Sequence, residues 1–141
     1  MATGSVEYAR VERVLEHPLA RVWAVVGAFG GLELWADGIS ACTVEDDVRT
    51  VTRNGSTVRE RLDRRDAADT EISYTILPPH RLPAADVQGA IMLRELGPGR
   101  TQIVWRSEAR DFQIPPATLG THIEAFYAAS ILGLDRLLSA G

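Results

Sequence analysis

Asn54-Gly55, set between two runs rich in β-branched residues, restricts this chain more than any other feature, because that pair calls for a two-residue β-hairpin. A turn centred there fixes a register. Val51 faces Val58 and Arg49 faces Glu60 on one side of the two strands, while Thr50 faces Arg59 and Thr52 faces Thr57 on the other. The side carrying Val51, Val58 and Leu62 is the apolar one and turns to the core. Arg49 and Glu60 therefore point inward with it, and an ion pair is expected among aliphatic side chains.

Alternation with period two continues on both sides of this hairpin. A first strand is expected over Val6 to Leu15 and a second over Ile39 to Glu45. Between them Pro18 opens a helix carrying Val22, Trp23, Val25 and Val26, which Gly27, Gly30 and Gly31 break before a second short helical piece at Leu32 to Trp35. From Glu71 to Leu77 the residues Ile72, Tyr74 and Ile76 share the inward face. Pairing Leu62 with Ile72 would put Glu60 opposite Tyr74, so that Arg49, Glu60 and Tyr74 form one row across three strands. Two further strands follow, one with Val87, Gly89, Ile91 and Leu93 inward, the other, after the Gly97-Pro98-Gly99 turn, with Ile103, Trp105, Ser107 and Ala109 inward. Beyond Pro116, Leu119, Ile123, Phe126, Tyr127, Ile131, Leu134, Leu137 and Leu138 recur at helical spacing, the stripe of a long amphipathic helix.

These elements define an α+β chain. A curved antiparallel sheet of about six or seven strands, with two short helices, wraps round a long C-terminal helix. A length of 141 residues fits one domain over 1–141, with a core from about 6 to 139. No apolar run is long enough to span a bilayer and the N-terminus lacks a signal-peptide core, so a cytoplasmic protein without a membrane partner is expected. The net charge of -4 and the want of a basic stripe argue against nucleic acid.

All 15 basic residues are arginine, which excludes a Schiff-base lysine and a P-loop lysine together. His17, His80 and His122 have no metal-ligand spacing, Cys42 is the single cysteine, and neither GxSxG nor a strand-borne GxGxxG occurs. No cofactor and no metal are expected. Cys42 reads as a small buried apolar side chain.

The order of elements and five stretches of sequence resemble the START-like (SRPBCC) superfamily, in its polyketide cyclase/dehydrase branch. The stretches are HPLARVWAVVGAFGGLELW from His17, VRTVTRNGSTVRERLDRRD from Val48, ISYTIL from Ile72, LPAADVQGAIML from Leu82 and TQIVWRSEARD from Thr101. The resemblance implies a helix-grip fold enclosing an apolar small molecule, and activities that range from cyclisation and dehydration to ligand carriage. In plant lachrymatory factor synthase, which belongs to this branch, an arginine and a glutamate on adjacent strands are implicated in chemistry; by motif they match Arg49 and Glu60, and a following tyrosine matches Tyr74. A further cavity tyrosine of that enzyme falls near Val87, where the present chain departs from the pattern.

Two functional readings stand at this point. In the first, Glu60 shuttles a proton on a carbonyl substrate while Arg49 and Tyr74 stabilise the enolate or alkoxide, a lyase or isomerase in specialised-metabolite biosynthesis. In the second, Arg49 and Glu60 are a structural or ligand-orienting ion pair in a carrier or sensor. In both, the cavity wall is drawn from Val51, Val58, Leu62, Ile76, Gly89, Ile91, Trp105, Ile123, Phe126 and Tyr127, and the turn carrying Trp35 and Asp37 reads either as a plain loop or as the closure of the cavity mouth. A monomer or a homodimer is expected.

Overall fold

The computed structural model describes residues 4–141, so the first three residues of the expected 1–141 span lie outside the described residues. Strand β1 (Val6–Leu15) leads into α1 (Leu19–Val26), where Pro18 sets the first turn and Val22 and Val26, one turn apart, are buried. One tighter helical turn, Leu32–Leu34, precedes β2 (Ile39–Glu45), β3 (Val48–Arg53), β4 (Ser56–Asp66), β5 (Glu71–Leu77), β6 (Ala85–Gly97) and β7 (Arg100–Arg110). Helix α2 (Pro116–Ala140) closes the chain. The seven strands form one antiparallel sheet in the order β1-β7-β6-β5-β4-β3-β2. Consecutive hairpins build six of them, and β1 pairs beside the last, at the opposite edge from β2.

The hairpin register is the expected one, with Val51 opposite Val58 and Arg49 opposite Glu60. Asn54 and Gly55 both take positive φ, 52° and 79°, as the tight turn requires. The next register differs from expectation. Leu62 pairs with Tyr74 and Glu60 with Ile76, rather than Leu62 with Ile72 and Glu60 with Tyr74. The physical reason is a bulge between Leu62 and Arg64 together with the extension of β4 to Asp66, which moves the turn further along the chain. Because the shift is of two residues, each inward side chain stays inward. The straight row of Arg49, Glu60 and Tyr74 is thus replaced by a diagonal.

Helix α1 packs on β6 and β7, while α2 lies against β1 and the turn at Leu32–Leu34. Two glycines let α2 approach so closely. A Cβ on Gly120 would overlap the Tyr8 carbonyl oxygen, and one on Gly133 would overlap that of Trp35. Leu119, Tyr127, Ile131, Leu134 and Leu138 of α2 are buried against the sheet. At the edge of β1, the backbone N–H of Arg10 donates to the Glu124 carboxylate at 2.9 Å, which occupies a hydrogen-bonding position on an edge strand. No helix among the described residues is long and apolar enough to cross a membrane.

Candidate functional site

Strands β3, β4 and β5 and the N-terminal half of α2 surround a cavity of about 720 Å³, within the range of small-molecule sites. Its apolar wall comes from Val51, Val58 and Ile76 on the sheet, Ile123 and Phe126 on α2, and Leu32, Ala36 and Ile39 on the segment before and at the start of β2. Trp105 also lines it. Residues 53–57 of the hairpin turn and residues 79–82 of the β5–β6 loop contribute the remaining wall. These two loops are neighbours because Arg59 pairs with Leu77, which places the start of β4 beside the end of β5.

Two charged groups line this wall well inside it. Arg49 is 5% exposed and donates from Nε to Glu60 Oε1 at 2.7 Å and from Nη1 to the Phe29 carbonyl at 2.8 Å. Its guanidinium also lies between two rings, 4.4 Å from the Phe29 centroid and 4.8 Å from that of Tyr74. Phe29 has φ 68°, a left-handed conformation unusual for a bulky residue, and in this conformation it offers both its carbonyl and its ring to Arg49. Among the described residues Nη2 of Arg49 and Oε2 of Glu60 have no hydrogen-bond partner in the protein, and neither atom is sealed from solvent. The pair is neutral as a whole, which makes its burial tolerable, yet each member keeps one polar atom available to a guest.

Tyr74 divides its functions between two neighbours. Its ring supports Arg49, while its hydroxyl accepts a hydrogen bond from Trp105 Nε1 at 3.1 Å. Gly89 makes room for it, since a Cβ there would overlap the Tyr74 ring. Trp105 in turn stacks on Tyr127, with centroids 4.1 Å apart and planes 9° from parallel. Burial, reinforced by the Glu60 charge and opposed by Arg49, pushes the Tyr74 hydroxyl up to about 12. Burial first, then the neighbouring Tyr74 and Tyr8, hold that of Tyr127 well above the ordinary tyrosine value. Ser107 Oγ lies 2.8 Å from the Tyr8 hydroxyl and 3.0 Å from the Gln88 carbonyl, which completes a buried polar cluster.

Of the residues expected from sequence, the structure brings Arg49, Glu60, Tyr74, Val51, Val58, Ile76, Trp105, Ile123 and Phe126 to the cavity. Five others are placed elsewhere. Trp35 is buried in the core, its ring centroid 5.8 Å from that of Trp105. Leu62 packs at the edge of the core beside the β4 bulge, and Gly89 lies beneath the Tyr74 ring. Ile91 is sealed in the core, and Tyr127 is stacked against Trp105. Asp37 is held by its own contacts: its backbone N–H donates to Ser130 Oγ at 2.9 Å and its carboxylate accepts from Arg53 at 3.3 Å. His122 is exposed on α2, and Cys42 is half-buried. Residues missed in the sequence include Leu32, Ala36 and Ile39 and, near the hairpin turn, Arg53, His80, Arg81 and Leu82. The signal that could have found the latter group is the strand register, which puts the β5–β6 loop next to the Asn54-Gly55 turn. Among the described residues no three His, Cys, Asp or Glu side chains gather as a metal-ligand set.

A curved sheet gripping a long helix, with a partly apolar cavity between them, defines a helix-grip protein. The chain belongs to the family described as polyketide cyclase/dehydrase and lipid transport, whose model matches residues 8–139. Among solved structures it is similar to an uncharacterized protein from Bacillus thuringiensis, at 16% identity and TM-score 0.85, covering 96% of this chain and 98% of that one. It is also similar to the protein XoxI from Bacillus cereus, at 16% identity and TM-score 0.84, covering 96% of each chain. A protein from Thermobifida fusca gives 19% identity and TM-score 0.81, covering 94% of this chain and 93% of that one. At such identities these likenesses establish the fold. No curated protein matches the sequence.

Proposed function

We propose that this protein binds an apolar small molecule in the cavity between β3–β5 and α2 and performs cofactor-independent acid/base chemistry on it. The reaction class is cyclisation, dehydration or isomerisation of a polyketide-like or other specialised metabolite. The observation that carries the reading is a half-used ion pair in a largely apolar wall: Glu60 gives one oxygen to Arg49 and keeps the other free. That free oxygen accepts a proton from carbon next to a substrate carbonyl, and Nη2 of Arg49 donates to the enolate oxygen that develops. Tyr74 positions Arg49 through its ring, and its phenol, pushed up to about 12, stays protonated at neutral pH. The family's description, which joins cyclase and dehydrase activity with lipid transport, is consistent with both catalysis and carriage.

Glu60→Gln tests the chemistry. A general base contributes about 100- to 10,000-fold, so the variant is expected to lose turnover by that factor while still binding the substrate. A folded Glu60→Gln protein that turns over the substrate at the unchanged rate rejects the mechanism. The second reading, a carrier, is favoured by the way Phe29, Tyr74 and Glu60 already immobilise Arg49. Recovery of the bound molecule unchanged in mass and ultraviolet spectrum after prolonged incubation decides for carriage.

A further inference from the structure

Charge on the cavity wall does not follow the charge of the chain. The net charge is -4, yet the wall carries Arg49, Arg53 and Arg81 against Glu60 alone. Two of these arginines are neutralised. Arg49 pairs with Glu60 at 2.7 Å, and Arg53 pairs with Asp37 at 3.3 Å, with its guanidinium 4.6 Å from the centre of the Phe126 ring. Arg81 has no carboxylate partner among the described residues, so one positive charge is left over on the β5–β6 loop.

Beside it stands a ring whose tautomer is fixed. His80 Nδ1 accepts the Leu82 backbone N–H at 3.2 Å, and an amide can only donate, so the ring proton of neutral His80 sits on Nε2. The loop that presents both residues is pinned at its far end, where the Gln113 N–H donates to the Pro83 carbonyl at 2.8 Å and Ala84 is buried. The neighbouring hairpin turn lines the same cavity and offers the hydroxyls of Ser56 and Thr57.

We infer that the ligand is an apolar monocarboxylic acid, its hydrocarbon body lying on Val51, Val58 and Phe126 and its carboxylate held at the mouth by Arg81 and His80 Nε2–H. This rests on the reading that the cavity holds an apolar small molecule, and it adds the head group. One unbalanced arginine suits a single negative charge, whereas a phosphate monoester would bring a second charge that the mouth does not neutralise.

Calorimetric titration of the full chain with dodecanoate, methyl dodecanoate and dodecyl phosphate tests the inference. The acid is expected to bind about tenfold more tightly than its ester, and the phosphate no more tightly than the acid. Arg81→Gln brings acid and ester to within about twofold of each other and leaves the ester unchanged. Arg94→Gln removes an equal charge from the outer face of β6 and leaves the preference intact. Equal binding of acid and ester, a phosphate about tenfold tighter than the acid, or loss of the preference in Arg94→Gln overturns the inference. An ester that binds as tightly as the acid refutes the inference and keeps the cavity. Failure of all three probes to bind defeats both.

Discussion

The space between sheet and α2 has two halves that share one sheet face and differ in what fills it. Toward β6, β7 and β1 the inward positions carry Ile103, Val87 and Tyr8, with Trp105 at the boundary where it also lines the cavity, and α2 answers with Tyr127, Ile131 and Leu134, all buried. Toward β3, β4 and β5 they carry Val51, Val58 and Ile76, and α2 answers with the half-buried Ile123 and Phe126. The space left between these side chains is the cavity. In the filled half most polar groups close on one another, as in the bond from Trp105 to Tyr74 and the contact of Ser107 with Tyr8, although the buried Trp35 Nε1–H finds no partner among the described residues. In the open half, Arg49 and Glu60 are only partly satisfied. Stability is concentrated on one side of the interior and binding capacity on the other.

The largest expected effect comes from emptying the filled half. Trp105→Ala removes a buried indole, its stack on Tyr127 and its hydrogen bond to Tyr74, and should cost about 5 kcal/mol in urea unfolding. A cost below about 1 kcal/mol would mean that this half is as loose as the other. Next is the ion pair that faces the open half. Arg49→Met strands the Glu60 carboxylate, whose side chain is 12% exposed, and should cost about 3 kcal/mol. The double variant Arg49→Met/Glu60→Gln should recover most of that, because no buried charge is left unpaired. A double variant as unstable as the single one would show that the lost packing on Phe29 and Tyr74, not the stranded charge, sets the cost.

The two halves were unequally legible in the sequence. Strand limits and inward faces follow from period-two alternation, and the Asn54-Gly55 pair set the contact of Arg49 with Glu60 correctly. The β4–β5 register was not legible, because a bulge at Leu62–Arg64 leaves no mark in a run of charged residues. Alternation also reports which side chains point inward but not which inward residues meet helix and which meet space. For that reason Ile91 and Tyr127 were expected on the cavity wall and are core, while Val51 and Val58 do line it. The mouth was looked for at Trp35 and Asp37, and the β5–β6 loop that lines the cavity instead was missed because a loop carries no periodicity. His80, isolated in sequence, gains its orientation only from the Leu82 N–H. Phe29 was missed because a positive φ at a phenylalanine has no sequence signature.

A pH titration separates the halves by a different route. The Tyr74 hydroxyl is raised from 10.0 to about 12 by burial, by the Glu60 charge and against the pull of Arg49. Below pH 10 both folded and unfolded chains hold this proton, and its contribution to stability is fully present. As pH rises from 10 toward about 12, the unfolded chain loses the proton first and stability falls, on the order of 3 kcal/mol over the window. Tyr127 shifts in the same direction. Urea midpoints across this range should therefore decline, and Tyr74→Phe should make the decline shallower. An unchanged slope in Tyr74→Phe would mean that the hydroxyl is not closed into the filled half.

The smallest effect on stability should come from filling the open half. Val58 faces Val51 across the hairpin and lines the cavity, so the added ring of Val58→Phe enters space rather than neighbours. Apolar burial then offsets the rotamer cost, and unfolding should shift by less than about 1 kcal/mol. Binding of an apolar probe such as methyl dodecanoate should weaken by more than about tenfold, since the ring occupies its volume. The same enlargement at Val87, which is fully buried, has no space to enter and should cost about 1 to 3 kcal/mol while sparing the cavity. If Val58→Phe is as damaging to stability as Val87→Phe, the wall around β3 and β4 is already closed in solution, and the difference between the two halves does not hold.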